Sequence, residues 1–413
     1  MADVVVIAGE KTVHHVQPVL QRLELEVAHV AQYDLDAILS HNPRLVLCFD
    51  DYHILYSNVL AQLRQRNIGI LVMFDGILEW RRTFEYPLEG EHLPYEQPVG
   101  AHKIACLGAS QARLLESWGN VGKCEIVGVP RFDQLAKNPP SIPPGPPYRV
   151  LVMTAKTPGF NEEQVEACRR SIEDVRAESA RLGKIELVWR VSPKIQAALG
   201  LEESKLDTRG ADLHKQLAGV HAVITTMSTT YLESLLARRP TAVLDYTNSP
   251  HLISPAWRIC CRDHIAPVLR ELLSPPKVKM AYQEFGLRDS LCLEEPATDR
   301  LARLLKAMVE HVKATPAGTP LRFPDRLLPV TAAGLWETID WNRHFAAYPH
   351  LSPHSTTPTA RDYQAAVSSA AYWEKKHCEY VARLNAVPVL GTLKRKVGKL
   401  LGVHRKSKFR ASG

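Results

Sequence analysis

Short apolar runs alternate with helical patterns along most of the chain. Val4–Ala8, Glu26–Val30, Leu45–Phe49, Ile68–Phe74, Lys103–Leu107 and Glu125–Val127 read as strands, with helical stretches at 12–24, 34–41, 54–66 and 110–117 between most of them. Strand and helix in alternation predict a parallel sheet with helices on both faces. The pattern then breaks at KNPPSIPPGPP, 137–147, where six prolines and a glycine exclude helix and sheet interior and leave a stiff linker. A second alternating series follows at once. It runs through a strand at Arg149–Met153, a helix at 162–182, a strand at Ile185–Trp189, a short helix at 211–217 and the strand-turn-helix-strand segment 222–246. A helix at 264–273, a strand-like Ser290–Leu293 and a helix at Ala297–Val312 complete it. The expected fold class is α/β, with two doubly wound Rossmann-like domains, 1–136 and 148–312, facing a cleft across the linker. Beyond them, 313–385 is expected to hold a wrapping segment and a helix, and 386–413 a basic amphipathic tail.

The segment Ala222–Tyr246 carries the most chemistry. Its apolar strand opens into Thr225, Thr226, Ser228, Thr229 and Thr230 where a helix begins. Free backbone N–H groups and the positive end of the helix dipole attract a phosphate at such a place. Glu233, one turn further, could accept hydrogen bonds from ribose hydroxyls. An ordinary junction with a Ser/Thr cap and a first-turn Glu has the same local pattern. There is no G-x-G-x-x-G, so the usual dinucleotide fingerprint is absent.

Charge and cysteine usage narrow the class. The formal charge of +7 invites a nucleic-acid reading, but nine Lys/Arg and no Asp/Glu lie from Arg383 onward, leaving 42 basic against 44 acidic side chains before it. The body of the protein therefore lacks the basic excess that a phosphate-backbone binder needs. In the tail, Leu390, Leu393, Val397, Leu400 and Leu401 recur at helical spacing with lysines and arginine opposite, a pattern suited to an anionic membrane surface. A solvated tail would have the same composition. The eight cysteines form no C-x-x-C pair or metal-finger spacing, so reduced thiols are expected. No apolar run approaches the roughly 18 residues of a membrane span. The expected location is cytoplasmic, peripheral on the inner face of the membrane.

Two blocks together resemble a known group. HKIACLGASQARLLESWGNVGKCEIVGVPRFDQL, 102–135, closing on Gly128, Pro130, Arg131, Phe132 and Asp133, and the segment 222–246 are similar to the GT-B architecture of bacterial surface-polysaccharide biosynthesis proteins. That group is related to CDP-glycerol glycerophosphotransferases and UDP-N-acetylglucosamine 2-epimerases. FDGILEWRRTF, 74–84, and MTAKTPGFN, 153–161, agree with it. Where many relatives carry R-x-H-P, this chain has Arg190-Val191-Ser192-Pro193 and so lacks the histidine.

The resemblance implies a glycosyltransferase that uses a nucleotide-activated sugar, or a CDP-activated donor, on a glycan or lipid-linked acceptor. Alternatives are a glycerophosphotransferase, a 2-epimerase and a non-catalytic donor-binding protein. It also gives Glu233 the ribose. Lys156 and Arg190, each near a strand's carboxyl end, are candidate phosphate contacts together with Ser228, Thr229 and Thr230, since cations and helix N-termini stabilise a leaving phosphate. An inverting transfer needs a base. Asp75 leads, followed by Asp51, Glu79 and His14, with Asp50 a weaker candidate. His102 and His221 are expected to be structural. No D-x-D or metal-ligand cluster stands at a strand end, so neither metal nor cofactor is expected.

Overall fold

A computed structural model describes residues 2–51, 53–74, 76–85, 96–201, 212–329, 368–379 and 382. Two units divide the chain, 1–335 and 336–413.

The first unit holds two all-parallel sheets. In the first, β1 (Val4–Ile7), β2 (Val27–Val30), β3 (Leu45–Cys48), β4 (Gly69–Met73), β5 (Lys103–Cys106) and β6 (Cys124–Ile126) lie in the order β2-β1-β3-β4-β5-β6. In the second, β7 (Tyr148–Met153), β8 (Ile185–Arg190), β9 (Ala222–Thr225), β10 (Thr241–Leu244) and β11 (Trp257–Ile259) lie in the order β11-β10-β9-β7-β8. Central strands such as β3, β4 and β9 are buried along their whole length, which is why they read as continuous apolar runs. The expected α/β fold with two doubly wound sheets is what forms. In each sheet the chain steps to one side and then returns to the other, so switch points fall between β1 and β3 and between β7 and β9. Open α/β sheets bind their ligands at such points.

Several elements differ from the sequence reading. Residues 12–24 form two short helices, Glu10–Val13 and Gln17–Leu20. The helix Ala297–Ala314, which seemed to close the second series, packs on the first sheet: Leu301, Leu304, Leu305, Met308 and Val309 join Val4, Val6, Leu45, Leu47 and Leu71 in one core. Asp133 fixes its start by accepting hydrogen bonds from Ala297 N and Thr298 N at 2.8 and 2.9 Å. Ser290–Leu293 is not a strand. Ser290 ends a helix, Lys277–Ser290, that sequence reading missed behind its prolines and glycine, and Cys292 N donates to Leu107 O at 2.8 Å. Gly108 permits that approach, because a Cβ there would lie 2.4 Å from the Ser290 carbonyl carbon. The helix Pro193–Ala198 and strand β11 were also missed.

Lys137 ends a short helix, Asp133–Lys137, and from Asn138 the proline-rich linker has no helix or strand and is tied to the second sheet's amino edge. Arg239, fully buried, donates to Pro140 O and Ser141 O, and His221 Nε2 lies 2.9 Å from Gly145 O. After the helix Ala297–Ala314, residues 321–328 run back over the first domain. Lys103 Nζ, buried in an ion pair with Glu125, donates to Asp325 O at 2.9 Å, while Glu125 accepts from Leu327 N and Leu328 N. Residues 330–367 lie outside the described residues.

In the second unit, 368–379 form a helix with Tyr372 and Trp373 exposed. The basic tail, 386–413, lies outside the described residues. No described helix is long and apolar enough to cross a membrane.

Candidate functional site

The hydroxyl-rich turn 225–230 stands at the switch point of the second sheet, at the carboxyl end of β9. Thr226 Oγ1 accepts a hydrogen bond from Ala155 N, in the loop after β7, at 2.7 Å and so ties the two switch-point loops together. The helix that follows is Thr229–Leu236. Ser228 at its N-cap gives it no side-chain cap, because its hydroxyl meets Thr230 Oγ1 at 2.7 Å. The opening turn of this helix therefore keeps its dipole and lacks a side-chain acceptor at the cap, as an anion site requires.

The first domain closes over this turn. Ile77 N donates to Thr229 Oγ1 at 3.3 Å, and Gln111 Nε2 donates to Gly76 O at 3.3 Å. Glu233, only 4% exposed, is paired with Arg131 of the G-x-P-R-F-D block, whose guanidinium also lies over the Phe132 ring. The carboxylate proposed for a ribose is thus held by a first-domain cation.

Beside the turn, a narrow cavity of about 20 Å³ is walled by Glu79, Trp80 and Arg81 from the first domain and by Thr226, Asp245 and His251 from the second. That volume holds about one water. Glu79 is ion-paired with Arg81; burial pushes its carboxyl up, against the pull of Arg81 and His251. Burial would also raise Asp245. His251, Thr247 and Arg258 gathered on it hold it well below the ordinary carboxylate range instead.

The structure brings together Ser228, Thr229, Thr230 and Glu233 at one helix end, with Glu79 in the adjoining cavity. It does not bring the remaining candidates to that cavity. Asp51 is buried, its Oδ2 accepting from Gly100 N at 2.6 Å, and burial raises its pKa. His14 is exposed with its ring 4.0 Å from that of His15. Lys156 is exposed in the loop after β7, and Arg190 donates to Gln216 Oε1 at 2.9 Å. Asp50 offers its carbonyl to the Tyr33 hydroxyl. Asp75 lies outside the described residues. His102 Nδ1 accepts from Ile70 N at 3.1 Å and His221 Nδ1 from Arg149 N at 3.0 Å, both structural roles. Among the described residues, no three His, Cys, Asp or Glu side chains are grouped to hold a metal ion.

No protein-family profile and no curated sequence matches the chain. Solved structures do. The wall teichoic acid polymerase TagF, in a variant soaked with CDPG, superposes with a TM-score of 0.51 at 11% identity over 76% of this chain and 90% of that one. The S. aureus MnaA-UDP structure gives 0.51 at 13% identity, covering 77% and 100%. The Methanocaldococcus jannaschii UDP-GlcNAc 2-epimerase, in complex with UDP-GlcNAc and UDP, gives 0.51 at 10%, covering 73% and 99%.

The fold is GT-B.

At such identities the likeness is one of fold. Within this GT-B chain, sequence reasoning missed Arg131 as the partner of Glu233, and Asp245 with His251 as cavity walls. Arg131 was visible only as part of a motif. Asp245 and His251 had one usable signal, their position directly after a buried strand, where α/β folds place functional loops.

Proposed function

We propose that the chain is a transferase that takes a nucleotide-activated sugar as donor and builds a cell-surface glycan. The observation that carries the reading is the uncapped helix Thr229–Leu236 opening at the switch point of the second sheet, with Glu233 one turn in. Its structural neighbours were solved with UDP, UDP-GlcNAc or CDPG, which supports a nucleotide donor. The donor's phosphates would lie against Ser228, Thr229 and Thr230 and its ribose near Glu233, with Lys156, exposed in the loop after β7, as a candidate cation. Arg131 already occupies Glu233, so a ribose bound there would take the place of that ion pair. Asp75, flanked by Phe74 and by the Gly76 that faces Thr229, is the proposed base, with Glu79 as the alternative carboxylate. The likeness to TagF favours a CDP-activated donor as the second reading. The acceptor would be a glycan or a lipid-linked saccharide, and the basic tail would bring the enzyme to an anionic membrane.

Calorimetry with UDP and CDP tests the donor site. Glu233→Ala should weaken binding by about 1–3 kcal/mol, the worth of hydrogen bonds to a charged partner. Unchanged affinity would remove Glu233 from the site, and the preferred nucleotide separates the two donor readings.

A further inference from the structure

The loop after β10 is built more rigidly than a connection requires. Thr247 donates both its backbone N–H and its hydroxyl to Asp245 Oδ1, and its hydroxyl also lies 2.7 Å from Ser249 Oγ. Arg258, on β11, spans the same loop by donating to Asp245 Oδ2 at 2.9 Å and to Ser249 O at 2.8 Å. Pro250 then delivers His251 to the cavity. Arg258 and Thr247 already satisfy Asp245. His251 is its surplus partner, with Nε2 3.2 Å from Oδ2 but not aligned as a hydrogen bond.

Nε2 thus faces the carboxylate without closing a hydrogen bond to it, which leaves Nδ1 as the nitrogen for other work. Its surroundings say what work. Thr226 and Met227, which lead directly into Ser228, line the same cavity, so the ring shares it with the turn that runs into the proposed phosphate position. The charged groups around it are Asp245 on its own loop, Arg258 on β11, and Glu79 and Arg81 from the first domain. The Ser192 that replaces the histidine of R-x-H-P is meanwhile buried as an N-cap, accepting from Ile195 N. It offers no titrating group.

Resting on the donor reading above, we propose that His251 is a catalytic residue that meets the donor's departing phosphate. Nε2 faces Asp245, and Nδ1–H donates to the bridging phosphate oxygen. As the bond from the transferred group to that oxygen breaks, its electron pair stays on the oxygen and the Nδ1 proton follows. The acceptor hydroxyl forms the new bond and gives its proton to a first-domain carboxylate. The imidazolium needed at the start is countered by Asp245.

The test uses the full-length protein with nitrogen-labelled histidine, and UDP, CDP and uridine as probes. Binding is followed by calorimetry and the His251 ring signals by NMR. UDP or CDP should shift the His251 ring nitrogens at saturation, while uridine, lacking phosphate, should leave them in place. His251→Gln should bind the same nucleotide about tenfold more weakly, the loss of one charge-assisted hydrogen bond. Binding of UDP or CDP with unmoved His251 signals, or equal shifts with uridine, would overturn this assignment and leave the donor site standing. Wild-type protein that binds neither nucleotide would overturn both.

Discussion

Replacing Gly76 by alanine tests whether the first-domain loop closes on the donor helix as the structure has it. A Cβ at this position would lie 2.3 Å from Thr229 Oγ1 and 3.7 Å from Thr229 Cβ. The hydroxyl is thus the whole obstacle, and relief requires Thr229 to turn about χ1 and give up its bond from Ile77 N, or the loop and the helix to separate by about 1 Å. Forced overpacking of this kind costs about 1–3 kcal/mol. Thr229→Ala removes the obstacle and leaves a 3.7 Å contact, at the cost of the 3.3 Å bond from Ile77 N. That bond is worth about 0.5–1.5 kcal/mol. In the Thr229→Ala background, Gly76→Ala should therefore cost nothing, or gain about 0.4–1 kcal/mol from the stiffer unfolded chain. Urea unfolding of the four proteins gives the coupling energy directly, and about 1–3 kcal/mol in favour of the double variant is expected. Additive losses, or a Gly76→Ala protein as stable as wild type, would refute the closed contact between residue 76 and the helix.

Lys103→Met should destabilise the protein by about 3–5 kcal/mol in urea unfolding, because it leaves the Glu125 carboxylate buried with only its backbone donors. Adding Glu125→Gln should recover part of that loss; no recovery would mean that Lys103 acts through its bonds to the Gly122 and Asp325 carbonyls. His102 has its pKa pushed down to about 4 by burial, with Arg64 and Lys123 adding to the shift, and its neutral Nδ1 accepts from Ile70 N. The folded value lies below the unfolded value of about 6.5, so this contribution to stability is complete above that pH and is lost as pH falls toward 4. Unfolding free energies measured between pH 7 and 4 should fall less steeply in His102→Gln than in wild type.

The chain's local patterns settled its class. Buried parallel strands must be short apolar runs, prolines must interrupt them, and a hydroxyl turn must open a helix where a strand ends; each of these is a property of neighbouring residues. The two alternating series and the turn at 225–230 could therefore be read directly. Contacts between distant residues could not. The pattern of Ala297–Ala314 shows an amphipathic helix but not which sheet it covers, and only the Asp133 cap and the Leu45–Leu71 face decide for the first. Asp51 looked like a base at a strand end until Gly100 claimed its oxygen. Glu233 read as a free first-turn carboxylate, yet it meets Arg131 across the cleft, and His251 gains its chemistry from Asp245 and from a cavity whose other wall comes from the first domain. A side chain's partners depend on where two sheets come to rest against each other, and that is decided by the burial of both apolar faces at once.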